Sequence, residues 1–345
     1  MNTNTLNKRL WRILSAMLVL AMILTSVSIP VFAEDKTDVS NLPEFEVGLI
    51  DTANEFKISS ADTLKALASA VNAGDGNGTY SMSGKTFYLA NDIDLNGDLF
   101  TPIADLSSVA DGFGGTFDGN YYTVKGMYVS GVTNYKGLFG ILNGGVVKNL
   151  SVEGTVTSTN NNVGGIVGKI FSGTVENCSF DGMVESTKSG AYVGGIAGYC
   201  GNTTSQKGTI KNCVNKANIK AVTKGTVGGI TGYAKFSEIK SCYNSGNITG
   251  ASRCGGIVGQ AMNGTTITSS YSIGKLDGSG TAADICDFFG GAEISNCYYS
   301  QKSIKGTGTG TVNDNCGEIP DENFASILGS EFVEDTENIN GGYPI

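Results

Sequence analysis

Val163-Gly164-Gly165-Ile166-Val167-Gly168 returns in altered form along the chain. It reappears as Gly194-Gly195-Ile196-Ala197-Gly198, Gly228-Gly229-Ile230-Thr231-Gly232 and Gly255-Gly256-Ile257-Val258-Gly259. Gly137-Leu138-Phe139-Gly140 precedes the series and Phe288-Phe289-Gly290 follows it. The closing glycines stand at 140, 168, 198, 232, 259 and 290, so the steps are 28, 30, 34, 27 and 31 residues. A period of that size marks a stacked repeat, in which each unit buries its apolar face only against its neighbours.

Each repeat carries two further apolar segments. One runs Val147-Lys148-Asn149-Leu150, Val175-Glu176-Asn177-Cys178, Ile210-Lys211-Asn212-Cys213, Ile239-Lys240-Ser241-Cys242, Ile267-Thr268-Ser269-Ser270 and Ile294-Ser295-Asn296-Cys297. The other ends on Val156, Val184, Ile219, Ile248 and Leu276. Three short strands joined by corners too tight for crossover helices predict a parallel β-helix, its coils pairing about 4.8 Å apart. The Asn149, Asn177, Asn212 and Asn296 column, set between inward residues, predicts a corner in left-handed backbone conformation.

Ahead of the repeats, Ser60 predicts the cap of a helix whose Leu64, Leu67, Ala68 and Val71 form one apolar stripe. Such a helix would cover the open end and unpaired edge of the first coil. Residues 34–55 read as a linker, 56–305 as the β-helix with its capping helix, and 306–345 as a flexible break and C-terminal cap. The break is Gly306-Thr307-Gly308-Thr309-Gly310, followed by a short helix over 322–328 and the apolar Phe332 and Tyr343-Pro344-Ile345.

Residues 1–33 read as a signal peptide. Lys8, Arg9 and Arg12 precede the apolar run Ile13–Val27, and Val31-Phe32-Ala33 offers a cleavage site. The expected location is secreted or cell surface, without membrane insertion once the leader is cleaved. The formal net charge of −9 disfavours nucleic acid and anionic membranes and points to neutral or cationic partners. The chain has no His, its one Trp is Trp11, and Arg253 is its one Arg beyond the leader. Imidazole acid–base chemistry, Ser–His or Cys–His pairs and the HExxH zinc helix are thereby excluded.

Other residues invite functional readings. Eight cysteines in an exported protein suggest disulfides. Yet Cys178, Cys213, Cys242 and Cys297 share a column with Leu150 and Ser270, and Cys254 replaces valines, so they read as buried thiols. At least one bridge between neighbouring coils stays open as the alternative. Asp92-Ile93-Asp94-Leu95-Asn96-Gly97-Asp98 copies half of a calcium loop, but Ile103 stands where a bidentate Glu is needed, so strand and turn are expected. Glu153 and Asp181 share a column with Lys216, which favours a charge ladder over a catalytic pair. No catalytic residue, metal or cofactor is expected. Tyr243, Tyr271 and Tyr298 follow the Cys/Ser column by one residue, and alternation turns them outward, either as an aromatic ladder that stabilises the sheet face or as a ligand-binding strip.

At the Gly-Leu-Phe-Gly and Val-Gly-Gly-Ile-Val-Gly phrases the chain resembles the GLUG-motif repeat family of bacterial exported and surface proteins. Leu89–Leu95 and Phe117-Asp118-Gly119-Asn120 look like that family's opening coils. The resemblance covers roughly residues 56–345 and implies a right-handed parallel β-helix. Some relatives carry these repeats beside a zinc protease that cuts immunoglobulin A, a domain that a chain without His cannot contain. The expected function is a noncatalytic exported repeat protein, an adhesion or binding module for extracellular glycan or protein. A polysaccharide-cleaving enzyme and a purely structural spacer are the alternatives.

Overall fold

The computed structural model describes residues 36–73, 81–105, 112–222, 224–300, 305–320, 324–328, 330 and 332. Contacts divide the chain into residues 1–37 and 38–345. The leader, and Tyr343-Pro344-Ile345 of the expected cap, lie outside the described residues. The described residues of 38–345 build a parallel β-solenoid of about 8 turns, with 52% strand against 8% helix placing the chain among all-β proteins.

The expected helix, α1, spans Ala61–Ala73. Ser60 caps it by accepting the Thr63 N–H at 3.1 Å, and Leu64, Leu67, Ala68 and Val71 are buried. The first two coils pair Glu55–Ile58 with Thr86–Leu89 in parallel, stacking the Phe56 and Phe87 rings at 5.5 Å. The supposed linker is partly built into this end. Phe45 is buried edge-on against both rings, at 5.4 and 5.5 Å, and Glu44 bridges to Lys57. An aromatic side chain beside an open coil end gains more by burial than by solvation, which the polar composition around it concealed.

Along the array one inward column runs Phe117, Val147, Val175, Ile210, Ile239, Ile267 and Ile294, each in register with the next. A second runs Val156, Val184, Ile219, Ile248 and Leu276. The corner asparagines Asn149, Asn177, Asn212 and Asn296 have φ of 53°, 50°, 53° and 49°. Their side chains form a ladder: Asn177 donates to Asn149 at 3.0 Å, and Asn212 donates to Asn177 at 3.1 Å. Asn149 in turn donates to Asp118 at 3.0 Å. Beside the corner, Asp118, Lys148, Glu176 and Lys211 alternate in charge as sheet neighbours, with Lys148–Asp118 at 3.2 Å and Lys211–Glu176 at 2.5 Å.

The glycine phrase is divided between two sheets. Its first part lies in a five-stranded sheet of Val163–Gly164, Tyr192–Gly194, Thr226–Gly228, Arg253–Gly255 and Thr281–Ala283. Its last part joins the main sheet of 24 strands. Chain direction changes at the paired glycines because no side chain fits: a Cβ on Gly165 would stand 2.3 Å from the Phe180 ring. The sixth echo lies three residues earlier than the sequence suggests. Val258 pairs with Cys286 and Gln260 with Phe288, so Gly259 faces Asp287 rather than Gly290. An aspartate replacing the glycine hid the match.

The Gly-Thr segment is a strand rather than a break. Lys305–Gly308 pairs with Cys286–Gly290, and the coil continues through Thr311–Val312 and Gly317–Glu318. Glycine is needed there, since a Cβ on Gly306 would stand 2.2 Å from the Asp287 carbonyl oxygen. A short helix, α2, follows at Phe324–Leu328.

Candidate functional site

The Tyr243, Tyr271 and Tyr298 column forms in the expected register, with the Tyr243 and Tyr271 rings stacked at 5.1 Å. It points away from the coil axis, but it is not a surface strip. Tyr243 is 5% exposed and Tyr271 0%. Phe324 packs edge-on to Tyr271 at 5.2 Å and to Tyr298 at 5.3 Å, and Phe332 lies 5.8 Å from Tyr271. Leu328 and Ile319 join this second apolar cluster. The stacked Tyr243 and Tyr271 rings are a large apolar area, and the chain's own C-terminal segment removes it from water, with Tyr298 half-buried at its edge.

A different aromatic column stays uncovered. Just after the closing glycines the register runs Lys169, Tyr199, Tyr233, Gln260 and Phe288. Four steps of about 4.8 Å give this strip a length of ~19 Å. Beside it, in the five-stranded sheet, run Tyr192, Thr226, Arg253 and Thr281. The strip residues and Tyr192 and Arg253 are half-buried. Each outward side chain alternates with a buried one, Ile170, Cys200, Ala234, Ala261 and Phe289, so the sheet pleat fixes its direction.

The strip is chemically specific. Tyr199 and Tyr233 stack at 4.6 Å, and Tyr192 closes on Tyr233 at 4.8 Å and on Tyr199 at 5.9 Å. The Lys169 ammonium lies 4.7 Å from the Tyr199 ring centre and 5.3 Å from that of Phe171. The Arg253 guanidinium covers Phe288 at 4.7 Å and donates to Gln260 Oε1 at 3.0 Å. Lys235 lies over Phe236 at 5.3 Å. Burial pushes the Tyr199 and Tyr233 hydroxyls above the ordinary phenol range and lowers Lys169; the neighbouring tyrosines reinforce the rise at Tyr199, while at Tyr233 Tyr192 reinforces it and the bond with Tyr199 opposes it. Asp287, at the glycine position, accepts from Thr281 at 2.9 Å. Burial raises its carboxyl, while the Thr281 bond and Arg253 oppose the shift. Aromatic rings with cations on their faces thus form a half-exposed patch on an otherwise acidic chain.

The remaining candidates resolve into structure. Glu153 and Asp181 are register partners, both exposed. In the Asp92–Asp98 segment, Asp92 accepts the Thr123 N–H and Asp94 the Asn96 N–H, while Asp98 pairs with Lys65 at 3.3 Å. Asn96 and Gly97 have φ of 57° and 75°, the expected turn. Among the described residues no group of three His, Cys, Asp or Glu side chains could hold a metal ion. All eight cysteines are thiols rather than disulfides. Among the described residues no helix is long and apolar enough to cross a membrane. Surface depressions of about 220 and 500 Å³ hold one charged residue each, Glu185 and Lys65.

Residues 159–185 match the family model described as the GLUG motif, which supports membership of a GLUG-motif repeat family. No curated protein matches the chain. Among solved structures the chain is similar to one described as a "putative immunoglobulin A1 protease" from Bacteroides ovatus. The TM-score is 0.59 at 21% identity, over 84% of this chain and 91% of that one. At that identity the likeness shows the fold. It also corrects the expectation that the chain is not an enzyme: a protein of the same fold is named for peptidase activity, so a coil of this kind is no ground for excluding catalysis.

Proposed function

We propose that the chain is an exported cell-surface protein that holds an extended extracellular glycan bearing carboxylates along the Lys169–Phe288 strip. The observation that carries this reading is the Tyr192–Tyr199–Tyr233 cluster, half-exposed and flanked by Lys169, Lys235 and Arg253. Net acidity pointed to neutral or cationic partners, but recognition follows local charge, and all three of these side chains are cations. Aromatic rings supply contact area at low entropic cost and arginine adds directional donors. A β-solenoid flank is straight and regular, which suits a repeating polymer better than a compact ligand. The GLUG match and the leader-like residues 1–33 support an extracellular setting.

Binding of the purified chain to an array of uronate, sialylated and neutral glycans tests this. Retention on the acidic glycans, lost in Tyr199→Ser/Tyr233→Ser with unchanged circular dichroism, supports the reading. Equal retention by that variant, or binding confined to neutral glycans, overturns it. Cleavage of immunoglobulin A1 by the purified chain, without glycan binding, would replace it by a peptidase function.

A further inference from the structure

One cysteine differs from the other seven. Cys178, Cys213, Cys242 and Cys297 are buried, and each thiol donates to the carbonyl two residues back, at 3.1, 3.2, 3.1 and 3.2 Å. Cys200, Cys254 and Cys286 are buried at other places in the coils. Cys316 alone is half-exposed. It lies on the last coil, where Tyr298 pairs with Gly317, so Cys297 and Cys316 face each other one position earlier. The Cys316 sulfur accepts the Cys297 backbone N–H at 3.4 Å, and the two side chains are in hydrogen-bond contact. Adjacent parallel strands stand about 4.8 Å apart, inside the Cα span a disulfide bridges. Ser270 separates this pair from the Cys178–Cys213–Cys242 stack.

We infer that Cys297 and Cys316 are an oxidisable pair whose disulfide staples the last coil to the array, with a thiol–disulfide oxidoreductase or a small disulfide as oxidant. Cys316 supplies the attacking thiolate, because it is reachable and its sulfur is stabilised by the Cys297 donors. Those bonds lower its pKa to about 7 against partial burial, whereas burial raises Cys297 well above the ordinary value. The Cys316 thiolate attacks one sulfur of the oxidant, forming a mixed disulfide and releasing the other sulfur as thiolate. Cys297 then loses its proton and attacks the Cys316 sulfur, expelling the second thiolate. Two thiols become one disulfide, and two electrons and two protons pass to the oxidant. The fully buried stack lacks the access that the first step requires.

The position gives the bond a consequence. Asn296 Nδ2 donates to the Leu328 carbonyl at 2.9 Å, so the residue beside Cys297 holds the end of α2 over the tyrosine column. Stapling the last coil therefore fixes the platform on which that cover sits.

The full chain, equilibrated with oxidised glutathione and then alkylated in denaturant, tests this. The expected product has two thiols fewer than the eight of the sequence, a Cys297–Cys316 linked peptide and the mass of two hydrogen atoms lost. Cys316→Ser, whose fold is checked by circular dichroism, should form no bridge under the same treatment. Eight free thiols after oxidation would overturn the inference. So would a first bridge within the Cys178–Cys213–Cys242 stack, or a stable glutathione adduct on Cys316 that Cys297 never resolves.

Discussion

Phe324 meets Tyr271 edge-on at 5.2 Å, and that contact turns an outward-facing tyrosine column into an interior. Helix α2 holds the contact with only five residues, too few for independent stability, so its order depends on the rings beneath it. Phe324→Ala removes the central ring of the cover and should destabilise this segment by about 3 kcal/mol. Hydrogen exchange should then rise over 319–332 while the coils from Val163 to Gly259 stay protected. Uniform loss of protection would mean that the cover and the coils form one cooperative unit.

Asn177 tests the corner ladder. Its side chain donates to Asn149 and accepts from Asn212, at a φ of 50°. Asn177→Ala loses both bonds and strains a left-handed corner, at about 2–3 kcal/mol. Asn177→Gly loses the bonds but relaxes the backbone, so denaturant titration should place it between alanine and wild type. Alanine as stable as glycine would remove backbone strain from the explanation.

Modularity predicts an inversion of the usual ranking of mutational severity. Ile230→Asp puts an unpaired charge into a fully buried site and should cost about 4 kcal/mol or more. Deleting residues 165–194 joins Gly164 to Gly195 in phase, because Gly164 and Gly194 are register partners. The deletion should keep a cooperative thermal transition and the β-rich circular dichroism, since flanking coils can restack. A folded point variant beside an unfolded deletion would contradict a modular solenoid.

Asp287 gives a pH dependence with a definite sign. Burial raises its carboxyl above 3.8, opposed by Thr281 and Arg253, with the Cys286 thiol as the other titratable neighbour. An acid whose pKa rises on folding binds its proton more tightly in the fold, so stability falls as pH climbs from that ordinary value through the raised one. Asp287→Asn keeps an oxygen for Thr281 and removes that slope. Its melting temperature should gain on wild type between pH 4 and 7, and a constant gap across that range would contradict the assignment.

The repeat and its phase are legible in the sequence because glycine is obligatory where coils approach, as at Gly165. The left-handed asparagine corner is legible for the same reason: few residues tolerate it. The last echo is misread because Asp287 replaces the expected glycine, and the Lys305–Gly308 strand because its glycines suggest a flexible break when they serve close packing. Alternation correctly turns Tyr243 and Tyr271 outward but says nothing of Phe324, some fifty residues later, which covers them. The half-buried strip escapes sequence reading because Lys169, Tyr199, Tyr233, Gln260 and Phe288 span four residue types. The available signal was positional, one residue after each closing glycine.

The most direct measurement compares two tyrosine pairs in one binding and melting experiment on acidic glycan. Tyr199→Ser/Tyr233→Ser should lose binding by tenfold or more, about 1.4 kcal/mol, with the melting temperature nearly unchanged. Tyr243→Ser/Tyr271→Ser should lower the melting temperature and leave affinity intact wherever the protein remains folded. If the Tyr243/Tyr271 variant instead loses affinity at full stability, and the Tyr199/Tyr233 variant binds as wild type, the uncovered strip is not the contact surface.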